Sequence, residues 1–225
     1  MYSLLLSDFP KGVDNHKDVI KKYIKDDYKV AILPWAFPTE LDAERFDNEY
    51  FSKDTNRYQR YIGALKMLDI RDENIIICNC YRESRDELLK ILEDVDVIFL
   101  PGGNPEMMFS KVVHDKDLLY VLKYTKKIVI GESAGCELQL RRYFITAKNN
   151  YYKYFAFYDG FGLIDGNFYI DVHTINNKNY LNKLEKVALE CKKDVYAIYD
   201  GGLIVYNREN KSLDTFNPVR KFEVR

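Results

Sequence analysis

The chain has 225 residues, 47% hydrophobic and 31% charged, proportions that suit a globular protein with a full core of its own. Thirty-four Lys and Arg against 35 Asp and Glu leave a net charge of -1. That balance excludes nucleic-acid or membrane-surface binding driven by bulk electrostatics.

Short apolar runs alternate with helix-length amphipathic stretches, the pattern of a parallel sheet covered on both faces. The opening segment MYSLLLSDFPKG has neither the basic region nor the cleavage site of a signal peptide, and its apolar run is too short to span a bilayer. It reads as a first strand, Tyr2 to Leu6, and a cytoplasmic location is expected. A helix is predicted at Lys17 to Lys25 and a second strand at Lys29 to Leu33. The charged stretch Asp42 to Asn56 reads as a long surface loop. Thr55 to Leu68 has helical spacing, with Tyr58, Tyr61, Ile62, Leu65 and Leu68 near one face. Strands follow at Asn74 to Cys78, Val95 to Leu100 and Lys127 to Ile130, separated by helices at Arg85 to Leu92 and Leu118 to Tyr124. Ala134 to Tyr143 reads as a helix.

The second half changes character. Tyr152 to Phe157, Phe168 to His173, Val195 to Tyr199, Gly202 to Tyr206 and Val219 to Val224 read as strands, several joined by hairpin-type turns. One helix, Tyr180 to Cys191, interrupts them. The expected architecture is a three-layer, doubly wound α/β fold with a mostly parallel sheet. Antiparallel strands are expected near the C-terminus, and residues 1–225 are expected to form one domain.

Cys78, Cys80, Cys136 and Cys191 match no zinc or redox spacing and read as reduced thiols. The sharpest chemical signal is Gly131-Glu132-Ser133-Ala134-Gly135, a G-x-S-x-G segment between the strand KIVI and a helix. A nucleophile there projects its hydroxyl into a cleft while the chain reverses, and the flanking glycines keep side chains clear of the neighbouring strand and helix. Glu132 reads as a surface charge and Cys136 as a packed thiol. A serine needs a base, and of the three histidines His173 ends an alternating strand, whereas His16 and His114 lie in helical or surface segments. Asp200, between the strand VYAIY and Gly201-Gly202, is the preferred orienting acid. Asp171, Asp165 and Asp159 stand as alternatives. The turn Pro101-Gly102-Gly103-Asn104-Pro105 follows another strand, and Gly102 and Gly103 let a backbone N–H approach a ligand closely, which paired with that of Ala134 makes a candidate oxyanion hole.

FLPGGNPEMMF, IGESAGCELQ, FAFYDGFGLIDG, YIDVHTINN and AIYDGGLIV, in that order, resemble the serine peptidase family of dipeptidase E (aspartyl dipeptidase) and the cyanophycinases. The likeness runs through almost the whole chain. It implies a fold like the class I glutamine amidotransferases, with Ser133 as nucleophile, His173 as base, Asp200 as acid, and Gly103 and Ala134 as oxyanion donors. The triad order Ser, His, Asp then differs from that of α/β-hydrolases. It further implies an acyl-enzyme hydrolase of short peptides that needs no metal or organic cofactor, acting as a monomer or homodimer. Neither nucleic acid nor membrane is an expected partner. The family's dipeptidase carries an arginine shortly after the histidine to hold the substrate's aspartate. Here TINNKNYLNKLEKV has none, which leaves Lys178 or Lys183 to supply a point charge. Gly102, Asn104 and Lys178 are therefore the candidate substrate contacts. Two other functions suit the same residues: hydrolysis of another small amide or ester, or a non-enzymatic binding module on the same fold.

Overall fold

β1 (Tyr2–Leu6) is buried from Ser3 onward and starts a computed structural model that describes residues 1–37, 41–147 and 152–224. α1 (Phe9–Ile20) follows at once. Asp8 accepts the Lys11 N–H as its N-cap and Pro10 lies in its first turn, a start signal that places this helix ahead of the predicted Lys17 to Lys25. β2 (Val30–Ile32) leads to α2 (Ala43–Arg45), which runs into a wider helical turn at Phe46–Tyr50. The expected surface loop at Asp42 to Asn56 is thus largely structured. Phe46, Tyr50 and Phe51 are buried, and their rings pack against Phe37 and Tyr61. The charges that suggested a loop lie on the outer side of this apolar spacing.

α3 (Asn56–Met67), capped by Thr55, precedes β3 (Ile75–Ile77) and α4 (Arg85–Asp94), which opens on a Ser84–Glu87 capping box. β4 (Val97–Leu100), α5 (Pro105–Val113), α6 (Lys116–Tyr124) and β5 (Ile128–Glu132) complete the first half. The helix predicted at Ala134 to Tyr143 stops after one turn, as α7 (Ala134–Glu137). The β-prone run of β6 (Arg142–Ile145) pairs antiparallel with β7 (Ala156–Asp159), where Tyr143 stacks on Tyr158. The remaining elements are β8 (Phe168–Val172), α8 (Lys178–Cys191), β9 (Asp194–Ile198), β10 (Leu203–Asn207), β11 (Leu213–Phe216) and β12 (Val219–Phe222).

The central sheet has seven strands in the order β11-β10-β1-β5-β4-β2-β3. β1, β5, β4, β2 and β3 run parallel, and β10 and β11 add an antiparallel edge. Its inner strands are continuous apolar runs because both faces are covered. α1 packs with α3, while α4 and α5 pack with α6, giving two separate helical groups. The other late strands leave this sheet: β8, β9 and β12 make a second one in which β8 and β9 are parallel, joined by α8. No helix among the described residues is long and apolar enough to cross a membrane.

Candidate active site

Parallel pairing brings the carboxyl ends of β1, β5 and β4 side by side, with Leu6 opposite Glu132 and Leu100 opposite Gly131. Ligand sites of open α/β sheets form at such ends. Ser133 is the first residue beyond β5. Its N–H donates to the Leu6 carbonyl at 2.9 Å, and its backbone takes φ 50° and ψ -113°, an unfavourable conformation for a residue with a Cβ. The reversal also needs Gly135, where an added Cβ would lie 1.9 Å from the Leu100 carbonyl oxygen.

His173 and Asp200 arrive from the second sheet. β8 and β9 are parallel with Val172 opposite Ile198, so the residues just beyond them emerge together. His173 Nε2 lies 3.0 Å from Ser133 Oγ, and His173 Nδ1 lies 2.8 Å from Asp200 Oδ1. Ser7 joins them from the end of β1. Its hydroxyl donates to Asp200 Oδ1 at 3.0 Å and accepts the His173 backbone N–H at 2.6 Å. That bond holds His173 at φ 51°, in the left-handed region. Lys11 Nζ donates to Asp200 Oδ2 at 2.9 Å. Partial burial raises the Asp200 pKa, but hydrogen bonds from Lys11, His173 and Ser7 outweigh it and bring the carboxyl to about 2.

The other candidate acids lie elsewhere. Asp171, 1% exposed, accepts hydrogen bonds from the hydroxyls of Tyr180 and Thr174, each at 2.6 Å. Asp165 pairs with Lys211 at 3.0 Å, and Asp159 is an exposed residue ending β7. His16 sits at a kink of α1, and His114 Nδ1 lies 2.6 Å from the Ser110 carbonyl. Cys136 is a fully buried thiol, pushed well above its usual pKa by desolvation.

The turn after β4 closes the site. Gly103 has φ 144°, and a Cβ there would lie 2.0 Å from the Ala36 carbonyl oxygen, so only glycine fits. Among the described residues, neither the Gly103 nor the Ala134 N–H donates to a protein acceptor. Gly103 shares a cavity with Ser133, and Ala134 opens α7 directly after it. Gly102 is different: its N–H donates to Glu132 Oε2 at 2.9 Å and its carbonyl accepts from Arg57 Nη1 at 3.1 Å. Gly102 thus lines the cavity over Ser133 with its N–H already engaged by the protein itself. Asn104 Oδ1 caps α5 by accepting the Glu106 and Met107 N–H groups. Lys178 is the exposed first residue of α8. Neither Asn104 nor Lys178 lines the cavity of about 410 Å³ that opens over Ser133 and His173. The cations that do line it are Arg57 and Arg60, joined by Asn56, Tyr61 and Asp8. Glu132 also lines it, buried at 4% exposure rather than lying on the surface.

Ser7, Arg57, Arg60 and the buried role of Glu132 were not legible from motif spacing. The available signal was the apolar face of α3: Tyr61 on that face points inward, Arg57 lies one turn earlier on the same side, and Arg60 neighbours Arg57 at three residues' spacing.

The chain matches the family model described as peptidase family S51 over residues 51–213. A crystal structure of a putative peptidase E protein from Listeria monocytogenes EGD-e superposes on it with a TM-score of 0.62 at 19% identity, covering 100% of this chain and 98% of the other. A crystal structure of a peptidase from an acI-B1 Actinobacterium gives a TM-score of 0.62 at 14% identity, covering 99% and 94%. At these identities the likeness speaks for the fold. No match is found among curated proteins.

Proposed function

The chain belongs to peptidase family S51, a family of serine peptidases, and on that premise we propose that it cleaves short peptides through an acyl-enzyme formed on Ser133. The observation that carries this reading is the unbroken chain Ser133 Oγ, His173, Asp200 with links of 3.0 and 2.8 Å.

In this mechanism His173 Nε2 accepts the Ser133 proton as Oγ attacks the scissile carbonyl. Asp200 accepts the Nδ1–H, which fixes the imidazole tautomer and stabilises the imidazolium that forms. With its carboxyl brought down to about 2, Asp200 is ionised throughout the neutral range. The N–H groups of Gly103 and Ala134 bind the tetrahedral oxyanion, and the imidazolium then protonates the leaving amine. Water, deprotonated by His173, attacks the acyl-enzyme and restores the serine. A cavity of about 410 Å³ suits a substrate of a few residues.

The test is turnover of a dipeptide panel, with free amino acids quantified, by the wild-type protein and by Ser133→Ala. Release of amino acids that Ser133→Ala abolishes supports the reading. A wild-type protein that cleaves small esters or non-peptide amides but no peptide would transfer the same chemistry to another substrate class.

A further inference from the structure

Glu132, immediately before Ser133, is 4% exposed, and its carboxylate is engaged on both oxygens. Oε2 accepts the Gly102 N–H at 2.9 Å and the Tyr61 hydroxyl; Oε1 accepts the Phe9 N–H at 3.2 Å and faces Arg60 Nη2 at 3.5 Å. Burying a carboxylate is costly, and an apolar residue would fill the same space without that cost. Burial, then the neighbouring Glu132 charge, push the Tyr61 phenol far above its usual range, so it remains a donor.

On the opposite side of the turn, Arg57 Nη1 donates to the Gly102 carbonyl at 3.1 Å. Its guanidinium rests 4.6 Å from the Tyr50 ring centroid, which fixes its plane. The Gly102–Gly103 peptide is planar, so fixing its carbonyl also fixes the direction of the Gly103 N–H. Glu132 meanwhile occupies the Gly102 N–H, which would otherwise be free to compete for a ligand. A glycine pair has wide backbone freedom, and these two side chains remove it where an oxyanion donor must be fixed in advance.

We propose that Glu132 and Arg57 are positioning residues that hold the two peptides flanking the Gly102 Cα, Glu132 through the N–H of Pro101–Gly102 and Arg57 through the carbonyl of Gly102–Gly103, and so aim the Gly103 N–H at the oxyanion. The proposal rests on acyl transfer by Ser133. Arg57 acts through the turn and not by contact with the substrate.

The experiment compares wild type with Arg57→Lys and Glu132→Gln in steady-state dipeptide hydrolysis. It adds affinity for a peptide boronic acid, which forms a tetrahedral adduct on a serine, and thermal unfolding. Lysine keeps the charge of Arg57 but cannot hold the same planar donor against Tyr50. Each variant is expected to lose about 10- to 100-fold in kcat with KM within about threefold, and boronate affinity is expected to fall in parallel. Folded variants that keep kcat within about twofold of wild type would overturn the clamp. So would an Arg57→Lys defect confined to KM and present only with negatively charged substrates, which would make Arg57 a substrate contact. If Glu132→Gln does not fold, Arg57→Lys decides alone, because Arg57 is only half-buried. Turnover surviving in Ser133→Ala removes the premise, whereas an inactive Ser133→Ala beside fully active clamp variants removes the clamp only.

Discussion

His173 Nδ1 and Asp200 Oδ1 stand 2.8 Å apart because the parallel strands β8 and β9 end in register. Asp171, two residues before His173, instead spends both carboxylate oxygens on Tyr180 and Thr174. The two acids therefore separate by experiment. Asp200→Asn is expected to lower kcat by roughly 10³- to 10⁴-fold, since the asparagine no longer holds the required tautomer. Asp171→Asn is expected to keep kcat within about tenfold while lowering stability by about 1–3 kcal/mol through its buried hydroxyl partners. Kinetics and thermal unfolding of both variants check the pair.

Ser7 bridges the histidine backbone and the Asp200 carboxylate. Ser7→Ala leaves the His173 N–H unpaired and Asp200 with one donor fewer. Its kcat is expected to fall about tenfold, and its unfolding free energy by about 1 kcal/mol or more. A variant with unchanged kcat would reduce Ser7 to a packing residue.

The backbone at Ser133 predicts a stability effect opposite to the activity effect. At φ 50° and ψ -113° a glycine is less strained than serine. Ser133→Gly is expected to be inactive yet more stable by about 0.5–2 kcal/mol, the relieved strain exceeding the added entropy of the unfolded chain. Ser133→Ala keeps the Cβ and is expected to be inactive with stability within about 1 kcal/mol of wild type. Calorimetry of the three proteins checks the order.

Acid should weaken the fold in part through Asp200. Its carboxyl is depressed from 3.8 to about 2 in the folded protein, so the unfolded chain binds the proton more tightly. The resulting stabilisation is fully present above pH 3.8 and is lost as pH falls through about 2. Asp200→Asn removes that component. Between pH 5 and pH 2, its melting temperature is expected to fall by less than that of wild type; an equal or steeper fall would contradict the assignment.

Much of the first half was legible in the sequence, because each strand of the parallel sheet is an apolar run closed by turn residues. Val97–Leu100 before Pro-Gly-Gly, and Ile128–Glu132 before Ser133, are the two that frame the site. Spacing also singles out Ser133 and His173, and Asp200 ahead of Asp171, Asp165 and Asp159; Ser133, His173 and Asp200 are the ones that lie within hydrogen-bond distance of one another. Legibility failed where tertiary packing overrides local pattern. The segment after Ser133 has helical composition, yet Tyr143 and Phe144 gain more by pairing with β7. Asp42 to Asn56 carries many charges, yet its aromatic residues bury against Phe37 and Tyr61. Nearness to His173 in sequence points to Lys178 as a substrate cation, but Lys178 lies outside the residues that line the cavity. The cations lining the cavity are Arg57 and Arg60 of α3, a proximity created by the packing of α3 beside the strand ends.

The most direct test of Ser133 is peptide mass mapping after treatment with a fluorophosphonate, with dipeptide turnover followed in the same samples. One adduct is expected, on the peptide containing Ser133, with turnover disappearing in proportion to labelling. Turnover persisting at the wild-type rate in protein fully labelled at Ser133 would contradict it.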